Sequence, residues 1–339
     1  MSLQVACLVI SLDYEQTRKG KIPMNSQQDF RSETNEIRVF CPATVANVNC
    51  GFDALGFALE GIGDEMIFRK TKELGLRITK ITGEKLPMEA ENNVAGVAGN
   101  AMLDGVHADF GVAIEIHKKI RSGSGIGSSS ASAAGVVFGI NQFLKEPLTH
   151  LELTRYAMKG EALASGNEHA DNVAPCIYGG TTLVTGYNPF KVIALPPMET
   201  VYVGILHPHI QIKTKDARAI LPKEVPLKDA ITQAQHLAGF VASLYEWDKE
   251  LFKESIQDVL VTPYRKQLIP HFDAIAKLSK EHGAIAFGIS GSGPSMFCLA
   301  FAKAHIDSFL AASEEFYTNE GLEVDTYSSR IARSGCRVI

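Results

Sequence analysis

Between Gly123 and Ala134 the chain runs GSGIGSSSASAA, and this stretch has the clearest chemical potential in the sequence. Ahead of it Val112, Ile114 and Ile116 alternate with Ala113, Glu115 and His117, the period of a half-buried strand. Behind it, an alanine-rich segment from Ala131 predicts a helix with Ser129 or Ser130 as its N-cap. A strand that enters a Gly/Ser turn and leaves as a helix aims several backbone N–H groups at one spot. The helix dipole adds partial positive charge there, so the natural occupant is a phosphate. Against this stands the plain flexible connection that many Gly/Ser loops are, but here the flanking strand and helix favour the anion cradle.

Three familiar motifs fail on spacing. A Walker A loop ends in Gly-Lys-Ser/Thr, and this loop has no lysine. The dinucleotide fingerprint needs G-x-G-x-x-G, whereas Gly123, Gly125 and Gly127 run G-x-G-x-G into three serines. A hydrolase nucleophile elbow needs G-x-S-x-G, which neither this loop nor the later GISGSG supplies.

The elements that must hold such a loop fall into two halves. At 339 residues two domains are the default. Residues 1–36 are polar and aperiodic after a short apolar run at Val5–Leu12 and predict an N-terminal extension. A first domain is expected over 37–192, opening with the strand EIRVFCPA. It carries helices near Asn93–Leu103 and Leu151–Ala164, and strands near Thr181–Thr185. The Pro/Gly-bearing TGYNPFKVIALPPMET marks a boundary. A second domain is expected over 198–339. It would hold the strand VYVGILHPHI, helices over Ala230–Tyr245 and Tyr264–Glu281, two strands joined by SGSGP, a helix over His305–Asn319 and a final strand LEVDTY. Strands and helices alternate in both halves, so the class is α/β or α+β.

Composition narrows the partners. A formal charge of −5 leaves no basic footprint for nucleic acid or an anionic membrane. No apolar run approaches the ~20 residues of a membrane span, and Val5–Ile10 is too short and unflanked for a signal peptide. Six cysteines without C-x-x-C spacing, Cys7, Cys41, Cys50, Cys176, Cys298 and Cys336, read as reduced buried thiols of a cytoplasmic protein.

Three glycine-bearing segments stand apart: CPATVANVNCGFDALGFAL (Cys41–Leu59), the Gly123 loop, and GISGSGPSMFCL (Gly288–Leu299). In order and content they resemble the GHMP kinase superfamily, from about Arg38 to the C-terminus. A fourth segment, GEALASGNEHADNVAPCIYGGTTLV (Gly160–Val184), resembles the homoserine kinase branch of that superfamily. Together these motifs are highly specific, though no one of them is alone. The chain departs from the pattern at Asn49, Cys50, Arg121 and Ile126, which are local backbone or size changes that remove no catalytic group.

The resemblance implies a ribosomal-protein-S5-like α/β N-terminal domain and a ferredoxin-like α+β C-terminal domain. It implies phosphorylation of the side-chain hydroxyl of L-homoserine by MgATP, a step toward threonine, in a homodimer. ATP would lie on Gly123, Ser124, Gly125, Ile126, Gly127, Ser128, Ser129 and Ser130, with Gly291 and Gly293 approaching from the second domain. Phosphoryl transfer needs a metal among the phosphate oxygens, and Mg²⁺ takes few, hard oxygen ligands. By resemblance these are Ser129 (Ser128 next) and Glu161. Read without it, Glu161 is a solvated helix carboxylate and the serines are caps.

For the acceptor, Asn47, Asp53, His169 and Asp171 match the family's substrate residues. Arg218 and Arg265 match its carboxylate-binding arginines, for which a bidentate fork suits, and Thr214 and Asn172 are further contacts. Blandly read, the arginines are surface charges and His169 is a structural histidine. Asp171 has two open roles, base for the hydroxyl proton or partner of the substrate ammonium, with the second slightly preferred and Asn172 orienting the hydroxyl. Two other readings stand beside this one. A mevalonate-like or other small-alcohol kinase fits the acid–base-rich acceptor set poorly, and a non-catalytic sensor would be expected to lack Glu161.

Overall fold

The computed structural model describes residues 35–166 and 168–339, which form one unit. The expected extension therefore lies, up to Thr34, outside the described residues. The chain opens with β1 (Glu36–Ala46), whose buried side is nearly continuous, and returns antiparallel as β2 (Leu55–Thr71). Strand β3 (Gly75–Thr82) runs parallel to β4 (Gly111–His117), which pairs antiparallel with β2. Between β3 and β4 lies α1 (Val94–Gly105), capped by the Asn93 side chain on the Ala95 N–H.

Strand β2 is long enough to serve three neighbours: β1 runs along both its halves, its far half also pairs with β4, and its first three residues pair with β5 (Thr181–Tyr187). Strand β6 (Phe190–Ala194) adds to β5. Helices α1 and α2 (Ser128–Asn141) lie on this sheet, and α3 (His150–Ser165) packs on both of them. Helix α2 is buried at all but one of its residues. Its run of alanine, glycine and serine is what lets a helix sit so deep, since larger side chains would not fit between sheet and neighbouring helices. Short α4 (Val173–Tyr178) follows the His-Ala-Asp-Asn segment.

The second sheet is wholly antiparallel, in the order β10 (Val324–Arg330), β7 (Tyr202–Pro208), β9 (Met296–Ala300), β8 (Ala286–Ile289). The remaining helices are α5 (Thr214–Ala219), α6 (Leu227–Glu246), α7 (Lys249–Ser255), α8 (Thr262–Arg265), α9 (Phe272–Glu281) and α10 (Lys303–Asn319). The single helix expected over Tyr264–Glu281 is broken into α8, a 3₁₀ turn and α9. Pro270 stands between them, and proline can neither donate its N–H nor let the preceding residue stay helical.

Two strands were not anticipated: β6 lies inside the stretch read as a boundary, and the other closes the chain. After β10 the chain bridges Ile331 to Leu59, and β11 (Arg337–Val338) pairs with β1 at the edge of the first sheet. The expected second domain, 198–339, thus ends inside the first sheet. Among the described residues the five cysteines are free and buried, and no helix is long and apolar enough to cross a membrane.

Candidate active site

The Gly123 loop connects β4 to α2 as expected, with left-handed backbone at Gly123, Gly125 and Gly127 (φ 73°, 86° and 74°). The N-cap is Gly127 itself and not Ser129 or Ser130. Its left-handed φ suits glycine, and a Cβ there would sit 2.1 Å from Thr44 Oγ1. Freed from capping, Ser129 and Ser130 donate their hydroxyls to Glu161 Oε1 and Oε2, at 3.0 and 2.9 Å. Ser128 donates inward to the Ile120 carbonyl (3.0 Å), which turns its hydroxyl away from the metal role given it as second choice.

The N–H groups can face a ligand only if the loop's carbonyls are satisfied elsewhere. The Ser124 carbonyl accepts the Ser295 N–H (3.0 Å) and the Gly125 carbonyl accepts the Ser290 hydroxyl (2.8 Å). The Ile126 carbonyl accepts the Thr44 N–H (3.1 Å). Ile126 is buried, Ser124 nearly so completely that its hydroxyl has no protein partner, and Gly293 lies against Gly125. The two glycine loops are thus bonded to each other.

Below the loop lies a buried ion pair that the sequence did not disclose. Lys118 Nζ contacts Asp64 and also donates to the Ser128 carbonyl (2.8 Å) and Ser132 Oγ (3.2 Å). The other Asp64 oxygen accepts the N–H groups of Lys119 and Ile120 at 2.7 and 2.9 Å. These extra bonds are what a buried pair needs to offset its lost hydration, and they fix both ends of the loop.

The loop opens on a cleft of about 550 Å³ that collects most of the expected residues: Asn47, Asp53, Glu161, His169, Asp171, Asn172, Thr214, Arg218, Arg265 and Gly291. Asn47 and Asp53 belong to a strained turn, with left-handed φ at Asn47, Val48, Asn49 and Asp53 (71°, 46°, 56° and 56°). For a β-branched residue such as Val48 this conformation is an outlier that surrounding contacts must impose. Asn47 supplies two of them: its Oδ1 accepts the Asp53 N–H (3.1 Å) and its Nδ2 donates to the Gly291 carbonyl (2.8 Å). Gln233 of α6 adds a third from behind, donating to the Cys50 carbonyl (3.0 Å).

Asp53 and Arg218 form a two-point pair, both carboxylate oxygens lying 2.8 Å from Nη2. His169 Nδ1 stands 3.9 Å from Asp53, and burial lowers the affinity of its imidazole for a proton. Arg265 is buried and more constrained than a surface charge, donating to the carbonyls of Ala217 and Gly291 (both 2.9 Å). Thr214 is exposed, 3.4 Å from Ser292 Oγ.

Asp171 is buried, and its carboxyl is pushed up to about 7, chiefly by burial and then by the charges of Asp53 and Glu161. The next residue, Asn172, accepts the Thr44 hydroxyl through Oδ1 (2.7 Å), which leaves its amide hydrogens for a ligand. Thr44 lies in the Cys41–Leu59 segment but the sequence assigns it no role; the pairing of β1 with the loop brings it here. Glu161 is likewise pushed up by burial, with the two serine bonds opposing.

Two family descriptions match the chain: GHMP kinases N terminal domain over residues 92–180 and GHMP kinases C terminal over 240–319. The class is therefore a GHMP-type kinase. A homoserine kinase of Methanococcus vannielii is 41% identical over 83% of this chain and 93% of its own length, and one of Chlorobium phaeovibrioides is 35% identical over 89% and 99%. The crystal structure of homoserine kinase from Cytophaga hutchinsonii superposes with a TM-score of 0.87 at 43% identity, covering 91% of this chain and 99% of that one. The chain belongs to the homoserine kinase family. A mevalonate kinase of L. major, at 13% identity and a TM-score of 0.62, shares the fold.

Proposed function

We propose that this enzyme transfers the γ-phosphoryl group of ATP to the side-chain hydroxyl of L-homoserine, giving O-phospho-L-homoserine on the way to threonine. One observation carries the reading. A single cleft joins an anion cradle to an acceptor end bearing both signs of charge, Asp53 and Asp171 against Arg218 and Arg265. A zwitterionic amino acid needs both; an uncharged sugar needs neither.

The donor lies along Gly123–Ser130, with Gly291 and Gly293 opposite. Glu161 and Ser129 offer two hard oxygens 3.0 Å apart, and among the described residues no cluster of three or more His, Cys, Asp or Glu could hold a metal. So sparse a set fits Mg²⁺, which draws its other ligands from phosphates and water. When bound there Mg²⁺ neutralises charge on the transferring phosphoryl group.

At the acceptor end the arginines take the substrate carboxylate and Asp53 takes its ammonium. The proton affinity of Asp171, near neutrality, supports the base role over the ammonium role that sequence slightly preferred, because a base works best when its pKa lies near the working pH. The homoserine oxygen bonds to the γ-phosphorus, its proton passes to Asp171, and the bond to the ADP oxygen breaks. Asn172, held by Thr44, orients the hydroxyl. We also assign the protein to the cytoplasm as a homodimer. A coupled assay across homoserine, mevalonate, galactose and shikimate tests the substrate. Turnover confined to homoserine is expected, and turnover of an uncharged alcohol in its place overturns the reading.

A further inference from the structure

The donor loop Gly123–Ser130 contains no lysine. In a Walker A loop a lysine reaches the β- and γ-phosphates, and phosphoryl transfer depends on charge placed around the moving group. Backbone N–H groups offer only partial charges, so a full cation beside the phosphate tail would add what this loop lacks. Among the described residues, the lysines and arginines that line the cleft are Lys118, Lys213, Lys215, Arg218 and Arg265. Three of them are committed elsewhere. An ammonium has three hydrogens to donate, and Lys118 Nζ meets three acceptors, Asp64, the Ser128 carbonyl and Ser132 Oγ. Arg218 is paired with Asp53, and Arg265 is tied to the carbonyls of Ala217 and Gly291. Both guanidiniums also stand over the Phe52 ring, at 5.4 and 5.1 Å, which keeps them at the acceptor end. Lys213 and Lys215 are exposed, and among the described residues neither joins an ion pair or donates a side-chain hydrogen bond.

We infer that Lys213 and Lys215 supply the missing charge: their ammonium groups meet the terminal phosphate of the bound nucleotide and stabilise it as it is transferred. This rests on the kinase reading above and adds to it two residues that no motif marks.

Their place in the fold supports it. Thr214 lies between them, its Oγ1 3.4 Å from Ser292 Oγ. Ser292 follows Gly291, where a Cβ would stand 3.2 Å from the carbonyl oxygen of Gly125 in the donor loop. Three residues beyond Lys215, on the same face of α5, Arg218 reaches Asp53. Helix α5 thus leads from the donor loop to the acceptor pair, and its lysine-bearing start falls where the phosphoryl group must cross. Lysine suits that position. A point charge on a flexible stem can follow a group in motion, whereas a guanidinium fork fits a fixed carboxylate.

Two double variants test it, Lys213→Met with Lys215→Met and Lys213→Arg with Lys215→Arg. Calorimetry of the β,γ-imido analogue of ATP against ADP, each with Mg²⁺ and no acceptor, reads the terminal phosphate alone. The methionine pair should lose about tenfold or more in affinity for the analogue and little for ADP, at an unchanged melting temperature. In turnover it should lose about 10²-fold in kcat with homoserine KM unchanged, and the arginine pair should keep most of the activity. Equal losses for the analogue and ADP, or no loss, overturn the assignment and leave both lysines as solvated surface charges. A raised homoserine KM with kcat retained overturns it as well, because the lysines would then serve the substrate carboxylate. A wild type that does not phosphorylate homoserine refutes the substrate reading instead. The calorimetric comparison needs no acceptor and still decides the lysines.

Discussion

Replacing Asp171 by Asn removes a carboxyl that the fold holds far above its ordinary range. In the native state it protonates at about 7, against 3.8 for a free side chain. Between these values the native state binds a proton that the unfolded chain has released, so stability falls as pH rises through the interval. At 1.36 kcal/mol per pH unit the span amounts to about 4 kcal/mol of stability, fully present below about pH 4 and lost by about pH 8. Asn cannot ionise and lacks this slope. Urea unfolding of the two proteins from pH 4 to 8 should thus show the variant gaining on the wild type with rising pH, up to about 4 kcal/mol. Kinetics supply the second arm. As base, Asp171 must be ionised, so wild-type kcat should fall as pH drops below about 7, and Asp171→Asn should lose about 10²–10⁴ in kcat with little change in homoserine KM. A stability difference that is flat with pH refutes the electrostatic argument. A large rise in homoserine KM with kcat retained refutes the base and returns Asp171 to the ammonium.

Glu161→Gln should keep the fold, since the amide oxygen can accept from one of Ser129 and Ser130 while its NH₂ donates to the other, whose hydroxyl turns to accept, but lose most turnover. Rates measured at rising Mg²⁺ check this, and full turnover at low Mg²⁺ would exclude a ligand role. Arg218→Leu and Arg265→Leu should separate. The first frees Asp53 and should raise homoserine KM with little change in melting temperature. The second also removes the Arg265 donor of the Ala217 carbonyl, for about 1.5–3 kcal/mol, and one of the two donors of the Gly291 carbonyl, which keeps Asn47, and should lower the melting temperature as well. Gly127→Ala forces a Cβ against Thr44 Oγ1 and should raise the dissociation constant for ATP much more than the KM for homoserine, read by calorimetry on the unliganded enzyme.

The sequence was most legible where function is local. The G-x-G-x-G run, its strand and its helix are written in one continuous stretch, and the carboxylate and His-Ala-Asp-Asn set lie in another. Type and spacing alone could mark them. What escaped depends on pairs far apart in the chain. Asp64 and Lys118 are ordinary surface-type residues until the sheet buries them together. Thr44 becomes a partner of Asn172 only once β1 passes under the loop, and Ser290 and Ser295 acquire their role from carbonyls more than a hundred residues earlier. Even within the loop, the serine cap was misjudged because Glu161, from another helix, competes for the hydroxyls. Arg265 was legible as a cleft residue but not as a tie between two carbonyls.

The return of residues 331–339 to the first sheet also bears on how the protein is made. During synthesis β1 emerges among the first described residues, but its neighbour β11 emerges only after the whole second sheet and its helices. Ala332 donates to Ala58 and Cys336 to Cys176, so the seam is stitched to β2 and α4 as well. The first half can therefore collapse early, yet its sheet gains its outer strand only when the second half has already been delivered. Contacts of such long sequence separation form late and slow the final step of folding. They also couple the halves, so that melting one exposes an edge of the other, and both are expected to unfold in a single transition.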